Sequence, residues 1–206
     1  MKLINLIKQY GILAIPRLIK AVLRRFGVVT ETFVLLKYDI KQAEILETFR
    51  QYNYSDVVEL SIKDIYKINF LGTEKIELFK NRFLDGNYSC FAIIKKDEVQ
   101  YLTWISWKYM NYPNIFQKSE VLQPYQALLE DSFCSPEYRG KGFHSRMNVY
   151  RLKKILKKNK AEVLALVLKE NKAALKVQLK SGFTYYSRIR FIKIGSWSKT
   201  FKKMMK

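Results

Sequence analysis

The sequence has few residues that could build a metal site. Its 206 residues include two cysteines, Cys90 and Cys134, and one histidine, His144. No CxxC pair, HxxxH pair or cysteine-histidine cluster is present, so a zinc site built by the protein is excluded and no metal cofactor is expected. The sequence therefore predicts a reduced, cytoplasmic protein.

Acidic residues are also scarce, with 18 Asp and Glu against 38 Lys and Arg, and the net charge is +20. Such a charge attracts anions, and the candidate partners are phosphorylated cofactors, nucleic acid and anionic lipid. Hydrophobic residues make up 49% and aromatic residues 15% of the chain, which excludes disorder for most of it. The length fits one domain with a terminal extension.

Long hydrophobic runs are missing. In the basic segment 1–26, which contains no acid, the longest uncharged stretch covers residues 9–16, far below the ~18 residues that cross a bilayer. A helical stripe is present at Ile15, Leu18, Ile19, Val22, Leu23 and Phe26. Two interpretations stay open: the stripe packs on the domain, or it lies on an anionic membrane surface, which would place the protein peripherally at the inner face of the membrane.

The order of elements predicts a mixed α/β domain over residues 28–195, between an amphipathic basic extension at 1–27 and a basic tail at 196–206. Strands are predicted at 32–40, 88–95, 99–107, 126–134, 162–168 and 183–194, and helices at 41–52, 61–83, 143–158 and 172–180.

A glycine-rich turn lies between the strand 126–134 and the helix that begins near Phe143. Gly140 and Gly142 allow close approach to the backbone, while Arg139 and Lys141 add positive charge. Free N–H groups and the helix dipole at such a turn favour a phosphate group. Neither a P-loop nor a GxGxxG motif is present.

The run Leu-Glu-Asp-x-Phe-x-x-Pro-Glu-Tyr-Arg-Gly-Lys-Gly-Phe at 129–143 resembles the acetyl-CoA-binding motif of the GCN5-related N-acetyltransferase (GNAT) superfamily. A second segment, Glu-Asn-Lys-Ala-Ala-Leu at 170–175 running to Gly182 and Phe183, is similar to that family's N-x-x-A helix and its GF turn. The resemblance covers residues 126–186 well and residues 31–125 by the order of elements. It implies a sheet that splays at 130–134 and an acceptor that enters from the opposite face.

The resemblance also implies cofactor contacts. Acetyl-CoA would be the acyl-donor cosubstrate, and Asn171 would contact it near its thiol half. The backbone of Phe133 and Cys134 would pair with the pantetheine arm. The pyrophosphate would be held by the backbone N–H groups of Arg139, Gly140, Lys141, Gly142, Phe143 and His144.

Two positions depart from the family pattern, because His144 replaces a small residue and Gln178 stands where many members have a tyrosine acid. Glu130 is the candidate general base, with a structural ion pair as the alternative. Strand alternation predicts that Glu130 and Asp131 lie on opposite faces. A nucleophile pair of Cys134 and His144 is disfavoured because no third orienting group is evident.

The sequence thus predicts an N-acetyltransferase that acts on a primary amine by direct attack in a ternary complex. The positive charge favours an anionic acceptor, such as an amino sugar on a nucleotide or lipid carrier. One alternative is a non-catalytic acyl-CoA-binding or membrane-surface module, which Gln178 would suit. A nucleic-acid-binding protein is a second alternative, and the lack of a recognisable binding motif disfavours it.

Overall fold

The computed structural model describes residues 15–113, 116 and 118–205. Its α-helices within these ranges are α1 (Ile15–Arg25), α2 (Gln42–Arg50), α3 (Thr73–Asp85), α4 (Phe143–Lys157) and α5 (Lys172–Lys180). The strands are β1 (Val28–Asp39), β2 (Val57–Leu60), β3 (Tyr88–Lys95), β4 (Glu98–Ser106), β5 (Tyr109–Asn111), β6 (Ser119–Val121), β7 (Gln126–Cys134), β8 (Glu162–Leu168), β9 (Thr184–Ile194) and β10 (Trp197–Met204). Residues 1–14 of the predicted extension lie outside the described residues.

Eight strands form one mixed sheet in the order β10-β9-β1-β8-β7-β4-β3-β2, while β5 and β6 form a separate ribbon. β7 and β8 are parallel, and the other neighbours are antiparallel. The prediction of a mixed α/β fold is therefore confirmed.

Each face of the sheet is covered by different elements. Alternation along β1 sends Val34 and Leu36 to the face packed by α2, α4 and α5, here called the α4 face. Phe33 and Leu35 point to the opposite side, the α3 face, where the β5–β6 region packs. Phe79 of α3 covers this second face further along, over β3 and β4.

Two predicted elements differ most from the structure: the long helix at 61–83 and the C-terminal tail. The helix predicted over 61–83 is divided: Ser61 and Asp64 form a capping box on a 3₁₀ turn at Ile62–Lys67, and α3 starts after Gly72. Residues assigned by sequence to the tail form β10, which pairs along β9. The predicted boundary at 195 thus falls within a β-hairpin of the sheet.

The sheet splays between β7 and β8. Pairing of these two strands extends from Gln126 with Glu162 to Leu129 with Ala165. From Glu130 onwards β7 stays with β4, while β8 stays with β1. The splay lies where the family resemblance placed it, and it exposes one backbone edge of residues 130–134.

Within the described part of the chain, no helix is both long enough and apolar enough to cross a membrane.

Candidate functional site

A cavity of about 930 Å³ opens on the α3 face at the splay. Its walls come from α3, the β5–β6 region and the diverging strands β7 and β8. The titratable residues of the lining other than tyrosines are the acids Glu74, Asp85, Glu130 and Asp131 and the bases Lys75, Arg82 and Lys118. The lining therefore does not share the strong positive charge of the whole molecule.

The carboxylate of Glu130 is held inside this wall, with the side chain only 6% exposed. Its Oε2 lies 2.6 Å from a terminal nitrogen of Arg82, and its Oε1 accepts a hydrogen bond of 3.1 Å from the amide of Asn111. Burial raises the pKa of Glu130 to about 6, with the charge of Asp131 adding to the rise and Arg82 opposing it. The group is thus both an ion-pair partner and a carboxylate that titrates near neutral pH.

A β-bulge brings Asp131 to the same arginine. Trp104 pairs with Glu130 and Thr103 with Ser132, so Asp131 is the extra residue between the two pairs. Its carboxylate lies 3.1 Å from Nη1 of Arg82. The expectation that Glu130 and Asp131 lie on opposite faces is therefore wrong, because the bulge breaks the alternation.

Arg82 was not identified from the sequence as a site residue. It projects from α3 into the cavity wall, buried against the rings of Tyr88 and Trp104 at 5.4 and 5.3 Å. The sequence does contain a feature that could have identified Arg82, because this arginine lies between Phe79 and Phe83 on the apolar face of the helix. A basic residue at such a buried position usually has an acidic partner.

Arg151 of α4 was also missed. It is fully buried, and its Nη1 donates hydrogen bonds of 3.1 Å to the backbone carbonyls of both Trp104 and Glu130. Its other terminal nitrogen donates to Asn148, and burial lowers the pKa of Arg151 to about 10. Arg151 supports the bulge from the α4 face, opposite to the cavity. Its spacing with Met147 and Ile155 puts it on the buried stripe of the helix.

The glycine turn leads from β7 into α4, and none of its residues lines the cavity. Gly140 and Gly142 have φ values of +80° and +75°, and no described atom lies within 4 Å of a Cβ built at either position. Gly142 is the N-cap of α4, which no side chain of the described residues caps. The exposed Arg139 and Lys141 flank the turn. The N–H of Arg139 donates to the carbonyl of Pro136 at 3.4 Å. From Gly140 onwards the turn offers N–H groups and open space to an anion.

His144 turns away from this open space. Its Nδ1 lies 3.1 Å from the hydroxyl of Tyr101, and burial, with the charge of Arg151, lowers the pKa of His144 to about 4. Burial raises the pKa of Cys134, which favours the neutral thiol. This geometry gives no support to a nucleophile pair of Cys134 and His144.

The remaining predicted residues have these environments. Phe133 and Cys134 pair with β4 on one edge, and their other edge faces the gap left by β8. Asn171 caps α5, with its Oδ1 accepting from the N–H of Ala174 at 3.1 Å. Gln178 is buried, and its Oε1 accepts from Asn148 at 3.1 Å. In the described ranges no group of three or more His, Cys, Asp or Glu residues could hold a metal ion.

No protein-family model matches the sequence, and no curated protein is significantly similar to it. Solved structures do match. A GNAT-family protein from Novosphingobium aromaticivorans is 11% identical, with a TM-score of 0.57 over 81% of this chain and 66% of the other. An acetyltransferase of the GNAT family from Colwellia psychrerythraea is 12% identical, with a TM-score of 0.55 over 85% and 61%.

A tandem GNAT protein from the clavulanic acid biosynthesis pathway is 11% identical, with a TM-score of 0.51 over 92% of this chain and 58% of the other. The chain thus spans less than two thirds of the length of two of these structures and about two thirds of the third. Structural matches at such low sequence identity establish the fold of the chain but do not identify its substrates. The mixed sheet, its splay and these matches show that the chain has the fold of the GNAT superfamily.

Proposed function

We propose that the chain transfers an acetyl group from acetyl-CoA to a primary amine, with both substrates bound at once. One observation carries the proposal: where β7 leaves β8, a cavity opens whose wall holds the buried carboxylate of Glu130. A carboxylate at the junction of a donor slot and an acceptor cavity is suited to take a proton from an attacking amine.

The donor side fits a phosphorylated thioester. The N–H groups from Gly140 to His144 would hold the pyrophosphate, and the two positive-φ glycines leave room for it. The N–H of Arg139, predicted to join them, already donates to Pro136, so Arg139 would contribute its side-chain charge. The free backbone edge of Phe133 and Cys134 would pair with the pantetheine amides. Asn171, whose Oδ1 accepts from Ala174, would donate its side-chain N–H groups nearby. Acetyl-CoA supplies an activated acyl group whose carbonyl is open to attack by an amine.

Glu130 would act as the base on the acceptor side. A free amine is mostly protonated at neutral pH, and it must lose a proton before it can attack. With a pKa of about 6, the Glu130 carboxylate is mostly ionised at pH 7 and can accept that proton directly or through one water. Arg82 and Asn111 hold the carboxylate in place.

The leaving thiolate has no acid at Gln178, since an amide cannot donate a proton in this way and its oxygen is engaged by Asn148. The proton for the thiolate would then come from water. This is also the feature that favours the alternative of a non-catalytic acyl-CoA-binding module.

The pH dependence of transfer follows from Glu130. Because burial raises its pKa to about 6, the ionised base is lost as pH falls through that value. We expect kcat/KM to fall about tenfold for each pH unit below 6. Steady-state rates between pH 5 and 8 would show this break, and it should disappear in Glu130→Gln. A break that persists in the variant would assign it to another group.

The acceptor that we propose is an amino sugar linked to a phosphate, on either a nucleotide or a lipid carrier. Neutral polar groups of the cavity lining suit sugar hydroxyls, and these are Asn81, Asn111 and Ser119. Lys75 and Lys118 are the lysines of the lining, where a phosphate would find its counter-charges, although Lys118 also lies 3.3 Å from Glu120. Arg82 is already paired with two carboxylates.

A panel of amines tests this assignment through thiol release from acetyl-CoA. We expect glucosamine carrying a phosphate to exceed plain glucosamine by about tenfold in kcat/KM, as one charge-assisted contact would give. Spermidine should be a poor acceptor. Preference for spermidine would overturn the anionic acceptor. Tight acetyl-CoA binding without thiol release on any amine would favour the non-catalytic module.

A further inference from the structure

The β9–β10 hairpin leaves one of its two faces uncovered. Ser187, Ile189 and Phe191 are buried on the α3 face, whereas the residues between them point to the opposite side. Cross-strand pairs on that opposite side are Ile194 with Trp197, Ile192 with Lys199, Arg190 with Phe201, and Arg188 with Lys203. We call these eight residues the hairpin face.

The hairpin face combines four cations with exposed large apolar side chains and contains no acid. Trp197 is 51% exposed, and Ile194 and Phe201 are similarly accessible. Single exposed apolar residues are common, but three on one small sheet surface, interleaved with cations only, indicate a surface for a partner.

The basic surface continues onto α5. Tyr185 pairs with Leu36 and Arg188 pairs with Val34, so Tyr185 and Arg188 lie on the α4 face of the sheet, where α5 also packs. A hollow of about 460 Å³ between Tyr185 and α5 is lined by three lysines one helical turn apart. They are Lys172, Lys176 and Lys180. The lining of this hollow contains no acid either.

Helix α1 presents apolar side chains to solvent. Lys20 lies 2.9 Å from Glu170 and 3.6 Å from Glu31, and Arg24 also pairs with Glu31. Lys20 and Arg24 are thus turned towards Glu31, whose pairing with Phe191 puts it on the α3 face of the sheet. The described apolar residues that are exposed are Ile19, Val22 and Phe26, the last at 77%.

The end of α1 meets the end of the hairpin. The N–H of Gly195 donates to the carbonyl of Gly27 at 3.1 Å, so Phe26 and Trp197 flank the same contact. The contact lies at the end of the sheet where β7 and β8 have separated. Leu168, the last residue of β8, pairs with Phe33, and β1 extends from there to Val28 at that same end. A partner bound here would lie beside the donor and acceptor openings.

We propose that the hairpin face, with the lysines of α5 beside it, docks on an anionic lipid bilayer. Helix α1 is not part of this surface, because its ion-pair partner Glu31 pairs with Phe191 and so lies on the α3 face. Cations without acids match anionic head groups, while tryptophan and phenylalanine suit the boundary between head groups and acyl chains. A second copy of the chain fits poorly because it would bring like charges together. Nucleic acid would use the cations but would leave Ile194 without an apolar contact.

Vesicle co-sedimentation tests the surface with the full chain. We expect binding to phosphatidylcholine vesicles containing phosphatidylglycerol, no binding to pure phosphatidylcholine, and release by salt. Lys199→Glu with Lys203→Glu should weaken binding at least ~25-fold, since each basic residue near the surface gives about fivefold. The matched control is Lys157→Glu with Lys158→Glu at the far end of α4, which changes net charge equally and should have less than a threefold effect.

Trp197 gives a second readout that needs no charge variant. The chain has two other tryptophans: Trp104 is buried, and Trp107 is half-buried with its ring N–H donating to Ser89 at 3.1 Å. Anionic vesicles should therefore shift emission to the blue mainly through the exposed Trp197, and Trp197→Ser should remove most of the shift. Equal losses in both lysine pairs, or no emission shift, would overturn the proposal. If an oligonucleotide binds the protein and displaces it from vesicles at matched salt, the surface would be assigned to nucleic acid. If the protein forms dimers as its concentration rises, the surface would be assigned to a second copy of the chain. Thermal unfolding reports folding in every variant, so this test stands apart from the proposed acyl transfer.

Discussion

Replacing Glu130 by glutamine is expected to lower kcat for acetyl transfer about 100-fold, the low end for loss of a general base. The amide keeps the shape of the side chain and its contact with Asn111, but it cannot accept a proton from the amine. Acetyl-CoA affinity should change little, because the glycine turn that would hold the pyrophosphate does not line the cavity. Thiol release under saturating acetyl-CoA and saturating glucosamine phosphate measures the first quantity, and calorimetry measures the second.

Asp131→Asn is the matched control for this change. Asp131 contacts the same arginine through a partly exposed ion pair, so its loss removes a carboxylate from the cavity without removing the proposed base. We expect transfer to stay within about fivefold of the native rate, as for other exposed pairs. Equal losses in the two variants would reduce Glu130 to a structural partner of Arg82.

Gly142→Val is expected to raise the Kd for acetyl-CoA at least ~10-fold, which corresponds to the loss of one or more hydrogen bonds to a charged group. The new side chain would enter the open space where the pyrophosphate is expected, and the φ of +75° disfavours a β-branched residue. Calorimetric titration measures the affinity, and thermal unfolding measures the accompanying strain.

Gly86→Val separates strain from blocking. Gly86 also has an open Cβ position and a φ of +73°. It precedes β3 at the end of the sheet opposite the glycine turn, because Tyr88 pairs with Ser106, and Ser106 pairs with Leu128 near the start of β7. Both variants should lose stability by about 1–3 kcal/mol. Unchanged affinity in Gly142→Val, or an equal loss in Gly86→Val, would remove the pyrophosphate from the turn.

The half of the chain that carries the cofactor motif could be read closely from the sequence. The bounds of β7, β8 and α5 match their predicted ranges, and α4 differs by one residue. These elements have strong periodicity and are separated by glycine, proline or polar turns, so local preference and tertiary packing agree.

The geometry around Glu130 could not be read in the same way. A bulge depends on how β4 and β7 pair across about 30 residues of chain, and alternation alone put Asp131 on the wrong face. Arg82 and Arg151 come from helices on opposite faces of the sheet and meet the bulge from both sides. Their positions on apolar helical stripes marked them as unusual, but their partners became evident only with the fold.

β10 was missed for a different reason. Its lysines at 199, 202 and 203 gave the segment the composition of a solvated tail, and only pairing with β9 makes it a strand. An edge strand rich in lysine is a common protection against edge-to-edge aggregation. The same residues contribute cations to the proposed membrane surface.

Amide hydrogen exchange with and without acetyl-CoA tests the proposed donor site most directly, since that site consists of backbone groups. We predict slower exchange in two segments, residues 130–134 on the free edge of β7 and residues 139–144 in the glycine turn, with no change in the β9–β10 hairpin. Protection confined to the hollow beside α5, or calorimetric binding without protection in either segment, would contradict the account.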